Sequence, residues 1–276
     1  MNTKITILVE NTTPVPGLTG EYGFAALIER NEKKYLFDTG SKDALFNNAR
    51  FLGIDLNEVS ELIISHGHFD HTGAVLPLVR DYQIKKIYAH SGIFVSRPVF
   101  LGDGNFREIG CAFKKEEVLN LGVELIWTDE FTEISPGIFV TGEIPRNNRF
   151  EDVGGPFKVK IENNIANDVL PDDMALVIDD KDGLVIISGC AHAGMINTID
   201  YVVQKTGRSI IKAYIGGTHL ITASKERIDR TIESLNNYHI EKIIVCHCTG
   251  FYAASLLYNA LGDRIIKGET GMSFTF

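Results

Sequence analysis

The sequence predicts an α/β fold built as a four-layer αββα sandwich, with strands in each half, helices outside and reactive loops along one edge. Three observations predict it. Apolar runs of strand length recur through both halves of the chain, several are followed by segments with helical spacing, and the histidine-rich motifs come directly after such runs. With 276 residues and 44% hydrophobic composition the chain can bury a large core, and one domain over residues 1–276 is the expectation.

Charge and composition exclude several function classes. The net charge of -9, with 36 acidic against 27 basic residues, argues against a broad phosphate-backbone-binding surface, so no nucleic-acid partner is expected. No apolar run approaches the length of a membrane span, and the first residues lack the apolar core of a signal peptide. The expected location is the cytoplasm, without a membrane partner. Three of the four cysteines, Cys190, Cys246 and Cys248, lie beside histidines, which favours reduced thiols over a disulfide framework. Nothing in the composition sets the oligomeric state.

Residues 5–9 and 23–28 read as strands, separated by a loop containing Pro14, Pro16, Gly17 and Gly20 that can overhang a site. Residues 34–37 form a further strand. Asp38 at its end either orients a ligand histidine by accepting its second N–H or makes a turn before Gly40. The pattern becomes helical from Ser41 through Ala44, Leu45, Ala49 and Leu52, with Gly53 as the stop.

The run Leu62-Ile63-Ile64 then leads into Ser65-His66-Gly67-His68-Phe69-Asp70-His71, which places three of the eight histidines and one carboxylate within six residues. In an extended segment His66, His68 and Asp70 leave the same side of the backbone, and His71 starts the next turn. Neutral imidazoles with a carboxylate suit Zn, Fe or Mn, and the order HxHxDH can divide into ligands for two ions.

Residues 71–82 read as one helix despite Pro77, and 86–89 as a strand delivering His90, which serves either as a substrate contact or as a hydrogen-bonded structural histidine. Residues 97–121, with Gly102, Gly104 and Gly110, read as an irregular excursion or lid. Strands at 123–127 and 137–142 lead to Glu143 and Arg146, whose guanidinium either binds a phosphate or carboxylate or sits on a solvated loop.

The strand at 184–188 ends at Gly189-Cys190-Ala191-His192. His192 is a candidate ligand; Cys190 is a thiolate ligand or a small core residue. The helix opened by Gly194 carries Ile196, Ile199, Val202 and Val203 on one face, ends at Gly207, and offers free N–H groups to an anion. A strand at 210–215 precedes Gly216-Gly217 and His219. After a helix over 225–238, the strand at 242–245 ends in Cys246-His247-Cys248. Alternation puts both of those cysteines opposite His247 and into the core. His247 is favoured for the metal; His219 remains a ligand, a general acid or a substrate contact. A last helix covers 253–261.

His66-x-His68-x-Asp70-His71 after a hydrophobic strand, with Phe37-Asp38-Thr39-Gly40 upstream, resembles the signature of the metallo-β-lactamase fold superfamily. The segments Gly189–Gly194, Ile215–Leu220 and Cys246–Gly250 resemble the branch named for the dihydropterin ribofuranosyl-aminobenzene phosphate synthase. Many members carry a metal-binding histidine between the positions of His90 and His192; this chain has none there, and Glu143 stands near that slot.

The resemblance implies a metal-dependent hydrolase acting on a small anionic phosphoester or ester with two divalent cations, zinc first, iron or manganese as alternatives. His66, His68 and His192 would hold one ion and Asp70, His71 and His247 the other, with Asp70 also able to take a proton. The branch implies an alternative, the synthase reaction that releases diphosphate, and related sites on this fold imply a second, a diiron redox protein.

Overall fold

The computed structural model describes residues 3–102, 104–162 and 164–276, so that Met1, Asn2, Asp103 and Asn163 of the expected domain lie outside the description. Its frame is two seven-stranded sheets. The first runs, in spatial order, Ser273–Thr275, Thr3–Val9, Ala25–Arg30, Lys33–Phe37, Val59–Ile63, Lys86–Ala89 and Glu124–Trp127. The second runs Ile265–Lys267, His239–Val245, Ile210–Gly216, Gly183–Ser188, Ala175–Asp180, Ile138–Val140 and Thr132–Ser135.

Strand alternation decides which face each residue meets. Leu176, Ile178, Val185 and Ile187 point into the layer between the sheets, where they meet Ile5, Ile7, Phe37 and Ile63 of the other half. Their neighbours Ala175, Val177, Leu184 and Ile186 point outward, to a separate core under the helices Met195–Thr206, Lys225–Leu235 and Phe251–Leu261. The first sheet is covered in the same way by Ala44–Phe51, Val75–Asp81 and Lys115–Asn120. Continuous apolar strands are what a sheet buried on both faces demands. Truncating one such residue, as in Leu176→Ala, costs about 2–5 kcal/mol.

Each sheet joins an antiparallel part to a parallel part. Lys33–Phe37 pairs in parallel with Val59–Ile63, which pairs in parallel with Lys86–Ala89; Gly183–Ser188, Ile210–Gly216 and His239–Val245 do the same in the other sheet. Parallel pairing needs a crossover, here helical, and the loops at the carboxyl ends of such strands are where open α/β sheets bind ligands. Every histidine motif sits on one of these loops.

Local chemistry corrects several expectations. The helix expected over 71–82 is two, Phe69–Thr72 and Val75–Asp81, broken where Gly73 passes so close to Ser41 that a Cβ would stand 1.9 Å from its carbonyl oxygen. Pro77 lies in the first turn of the second helix, where a missing N–H costs nothing. The excursion over 97–121 is ordered as a hairpin, Pro98–Gly102 with Asn105–Glu108, followed by a helix. Strands that the sequence pattern does not predict stand at Thr132–Ser135, at the hairpin Lys158–Ile161 with Asn164–Asn167, and at the edges Ile265–Lys267 and Ser273–Thr275. These are short and mostly exposed, so they carry little apolar pattern. Among the described residues no helix is long and apolar enough to cross a membrane.

Candidate metal centre

The strand Val59–Ile63 delivers the first motif. His68 is still extended, with φ -88° and ψ 150°, and the chain then coils at once into Phe69–Thr72. Asp70 therefore leaves a helical turn, not the continued strand that alternation assumes, and His71 lies in the turn expected for it. The tight path of the loop depends on Gly67, where a Cβ would stand 2.2 Å from the Ile93 carbonyl oxygen.

The folded chain assembles two sets of donors. The ligand atoms of His66, His68 and His192 lie within 4.8 Å of one another, and the same holds for Asp70, His71 and His247. In the first set His66 Nε2 stands 2.9 Å from His68 Nδ1, with the His192 ring 4.8 Å from that of His66. In the second, Asp70 Oδ2 is 3.2 Å from His247 Nε2 and 3.7 Å from His71 Nε2. Cys190 Sγ is 3.2 Å from His71 Nε2, and the His219 ring lies 4.3 Å from that of His192. All of these side chains are buried.

The outer nitrogens of these rings are tied down. His71 Nδ1 donates to Asp38 Oδ2 at 2.7 Å, and the same carboxylate accepts from Ser65 N and Ser65 Oγ, both at 2.7 Å. His192 Nδ1 donates to the Val153 carbonyl at 2.8 Å, and His247 Nδ1 to Asn11 Oδ1 at 2.9 Å. The inward Nε2 atoms of His192 and His247 are buried without a hydrogen-bond partner, and so is His68 Nε2, the nitrogen of that ring turned away from His66. Buried ring nitrogens without partners are costly, whereas imidazoles oriented by a second hydrogen bond are the usual way a protein presents metal ligands. The residues present thus fit a divalent cation of the zinc class.

Backbone strain collects at the same place. Asp38, Ala191, His219 and His247 have φ of 58°, 56°, 45° and 48°. This left-handed conformation costs a non-glycine residue of order 1 kcal/mol, and strain of this kind clusters at functional sites.

Charge states follow from burial and neighbours. Burial, reinforced by the adjacent imidazoles, pushes His66, His68 and His192 well below the ordinary histidine range, so they are neutral. Burial pushes His71 down as well, but Asp70 and Asp38 outweigh it and raise the group to about 9. Burial raises Asp70, yet His71 and His247 win and hold it well below the usual carboxylate range. Cations would reverse the His71 state, since a ligating imidazole is neutral.

Two aromatic rings flank the donors. Tyr22, from the overhanging N-terminal loop, meets the His247 ring edge-on at 4.9 Å, and Phe157 lies 5.2 Å from His68 and 5.1 Å from His192. Neither ring has a sequence signal beyond its position in a loop.

The structure uses other candidates elsewhere. His90 caps the turn Ser91–Phe94, its Nδ1 accepting from Gly92 N at 3.0 Å. Arg146 donates to the carbonyls of Val169 and Leu170, so its guanidinium fastens a loop. Glu151, which carries no sequence signal, accepts from Ile196 N and Asn197 N at 2.9 Å each; the helix N-terminus expected to face a bound anion is filled by the chain's own carboxylate. Cys246 lies in the core between the sheets as expected, but Cys248 does not. Residues His247–Thr249 form a 3-10 turn, which breaks alternation and brings Cys248 to within 4.8 Å of the Cys190 and His247 ligand atoms.

Known proteins resemble this chain in sequence and fold. The model of the metallo-beta-lactamase superfamily matches residues 18–247. Over 93% of this chain and 90% of its own length, the 7,8-dihydropterin-6-methyl-4-(beta-D-ribofuranosyl)-aminobenzene-5'-phosphate synthase of Methanocaldococcus jannaschii is 33% identical. The uncharacterized protein MJ0448 of the same organism is 30% identical over 97% of this chain and 98% of its own. Among solved structures, Tm1679, described as a metal-dependent hydrolase of the beta-lactamase superfamily, superposes with a TM-score of 0.84 at 28% identity, covering 99% of this chain and 98% of its own.

Proposed function

The chain belongs to the metallo-β-lactamase superfamily and is an enzyme, and from that premise we propose that it is a cytoplasmic, single-domain hydrolase of a small anionic phosphoester or ester, working with two divalent cations. The observation that carries the proposal is the adjacency of two donor sets, His66, His68 and His192 beside Asp70, His71 and His247, on loops from both sheets. Zinc leads by donor chemistry, with iron or manganese as the alternatives.

Bound cations would polarise a phosphoryl or carbonyl oxygen and lower the pKa of a coordinated water. The chain's own residues supply the rest. Asp38, Val153 and Asn11 fix the tautomers of His71, His192 and His247, so that each inward nitrogen is a lone-pair donor. Asp70, ionised, can accept the proton of an attacking water. His219, which burial holds below the ordinary histidine range, is neutral and 9% exposed, and can carry a proton at the cleft. A cavity of about 650 Å³, lined by Asn11, His247, Ile221, Phe251 and Tyr258, adjoins His247 and gives the organic part of a substrate an apolar wall.

A second reading has one observation in its favour, the 33% identity to the synthase across nearly the whole of both chains. In that case the centre would bind the diphosphate that leaves. Product analysis separates the two. The purified protein loaded with zinc or manganese is expected to cleave bis(4-nitrophenyl) phosphate; joining of the pterin and aminobenzene substrates without any such cleavage would replace the hydrolase by the synthase.

A further inference from the structure

Tyr22 is held at the rim of the centre from both sides. On one side Glu21 reaches the start of the helix Ala44–Phe51, its Oε1 accepting from Ser41 N at 2.8 Å and Lys42 N at 2.9 Å and its Oε2 from Ala44 N at 3.2 Å. On the other, Gly23 N donates to Asn11 Oδ1 at 3.2 Å, and a Cβ at Gly23 would stand 2.3 Å from the Asp70 carbonyl oxygen. The Tyr22 carbonyl itself accepts from Ser41 Oγ. A loop tied this closely places its middle residue before any substrate arrives.

The side chain is less committed. Its ring meets that of His247 edge-on, yet 54% of the residue is exposed. Its hydroxyl has no hydrogen-bond partner among the described residues. The Asp70 carboxylate is close enough to act on that hydroxyl electrostatically, so the O–H is turned towards the donors. A packed phenol ordinarily finds a partner for its O–H, and here the partner comes from water or substrate.

Placement decides which substrate atom it meets. His247 belongs to a donor set and also lines the cavity of about 650 Å³, together with Asn11. A phosphoester with its phosphoryl group at the donors and its organic part in the cavity therefore has its cleavable bond beside His247, where Tyr22 stands. Resting on the hydrolase reading, we infer that the Tyr22 hydroxyl donates a hydrogen bond to the leaving oxygen as that bond breaks. Water oxygen bonds to phosphorus, Asp70 takes a proton from the water, and the electron pair of the old bond goes to the leaving oxygen. Tyr22 keeps its own proton, and the released alcohol or phenol takes one from solvent. Negative charge on that oxygen is far greater in the transition state than in the bound ester, so the contact acts on kcat more than on KM.

Tyr22→Phe keeps the ring and removes only the hydroxyl, so the thermal melt and the metal content by elemental analysis are expected to be unchanged. The full chain, loaded with zinc or manganese, is assayed on methyl aryl phosphates whose aryl group runs from 4-nitrophenyl through 4-chlorophenyl to phenyl. Nitrophenolate spreads its charge into the ring and needs little help, whereas phenolate needs much. The expected fall in kcat is about 100-fold for the phenyl ester and less than about 10-fold for the 4-nitrophenyl ester, with KM little changed. A purely structural defect would slow every ester alike. Equal loss across the series, or no loss at all, overturns the inference and leaves the hydrolase reading intact. Failure of the unmodified protein to cleave any of the three overturns both.

Discussion

Asp38 Oδ2 stands 2.7 Å from His71 Nδ1, and this one contact decides which nitrogen of His71 faces the centre. The carboxylate accepts the Nδ1 proton and leaves Nε2, 3.2 Å from Cys190 Sγ, as the lone-pair donor. In Asp38→Asn an amide N–H can occupy the Oδ2 position, and His71 then carries its proton on the inward nitrogen. The expected result is a drop in metal affinity of about 10- to 100-fold with the fold retained. Competition titration against a chelator measures it, and unchanged affinity would mean that His71 is not a ligand.

His68 tests the other donor set. His68→Ala removes one of three ligands grouped around buried, unpartnered ring nitrogens, so the variant should fold while losing most of the cation held with His66 and His192. Elemental analysis after dialysis, beside a thermal melt, checks both halves. Full metal content in this variant would falsify the ligand assignment.

The sandwich and the main motifs are legible in the sequence because strands buried on both faces leave long apolar runs, and because His66, His68, Asp70 and His71 are crowded into one loop. What stays hidden depends on contacts between distant segments. Asn11 and Val153 reach the centre, and Glu151 the helix N-terminus after it, only through the tertiary fold, and a backbone carbonyl has no sequence identity at all. Alternation assigns Cys248 to the core because it lets the strand continue, whereas His247 turns into the left-handed region. His90 shows the reverse limit: a histidine at a strand end looks the same in sequence whether it caps a turn or lines a cleft.

The metal-free protein should be most stable near pH 6.5. His71 is raised from 6.5 to about 9, so its contribution is fully present below pH 6.5 and is lost as the pH rises through about 9. His66, His68 and His192 are depressed, so theirs is present above pH 6.5 and is lost as the pH falls below it. Melting temperatures of chelator-treated protein should therefore fall on both sides of this point. Loading with zinc should abolish the alkaline decline, because a ligating His71 has no proton left to lose. Persistence of that decline in the loaded protein would assign it to another group.

Arg97 supports the first motif from behind, and its removal separates charge balance from positioning. Its Nε donates to Asp168 Oδ2 at 2.8 Å and its Nη2 to Asp172 Oδ1 at 2.5 Å, while Asp172 Oδ2 accepts from Gly67 N, between the two histidines, at 2.8 Å. Both carboxylates are buried, so Arg97→Met leaves two uncompensated charges and should cost about 3–5 kcal/mol. In a chain of this length that lowers the melting temperature by roughly 10 °C. Without the guanidinium Asp172 is no longer held against the Gly67 N–H, which lets His66 and His68 drift, so metal affinity should fall as well. Adding Asp168→Asn removes one of the two uncompensated charges and keeps the Asp172 carboxylate against the Gly67 N–H; this double variant should regain part of both losses. Adding Asp172→Asn instead should regain stability alone, because an amide placed against the Gly67 N–H is a poorer acceptor than the carboxylate. Equal recovery of metal affinity in the two double variants would show that Arg97 acts only through charge.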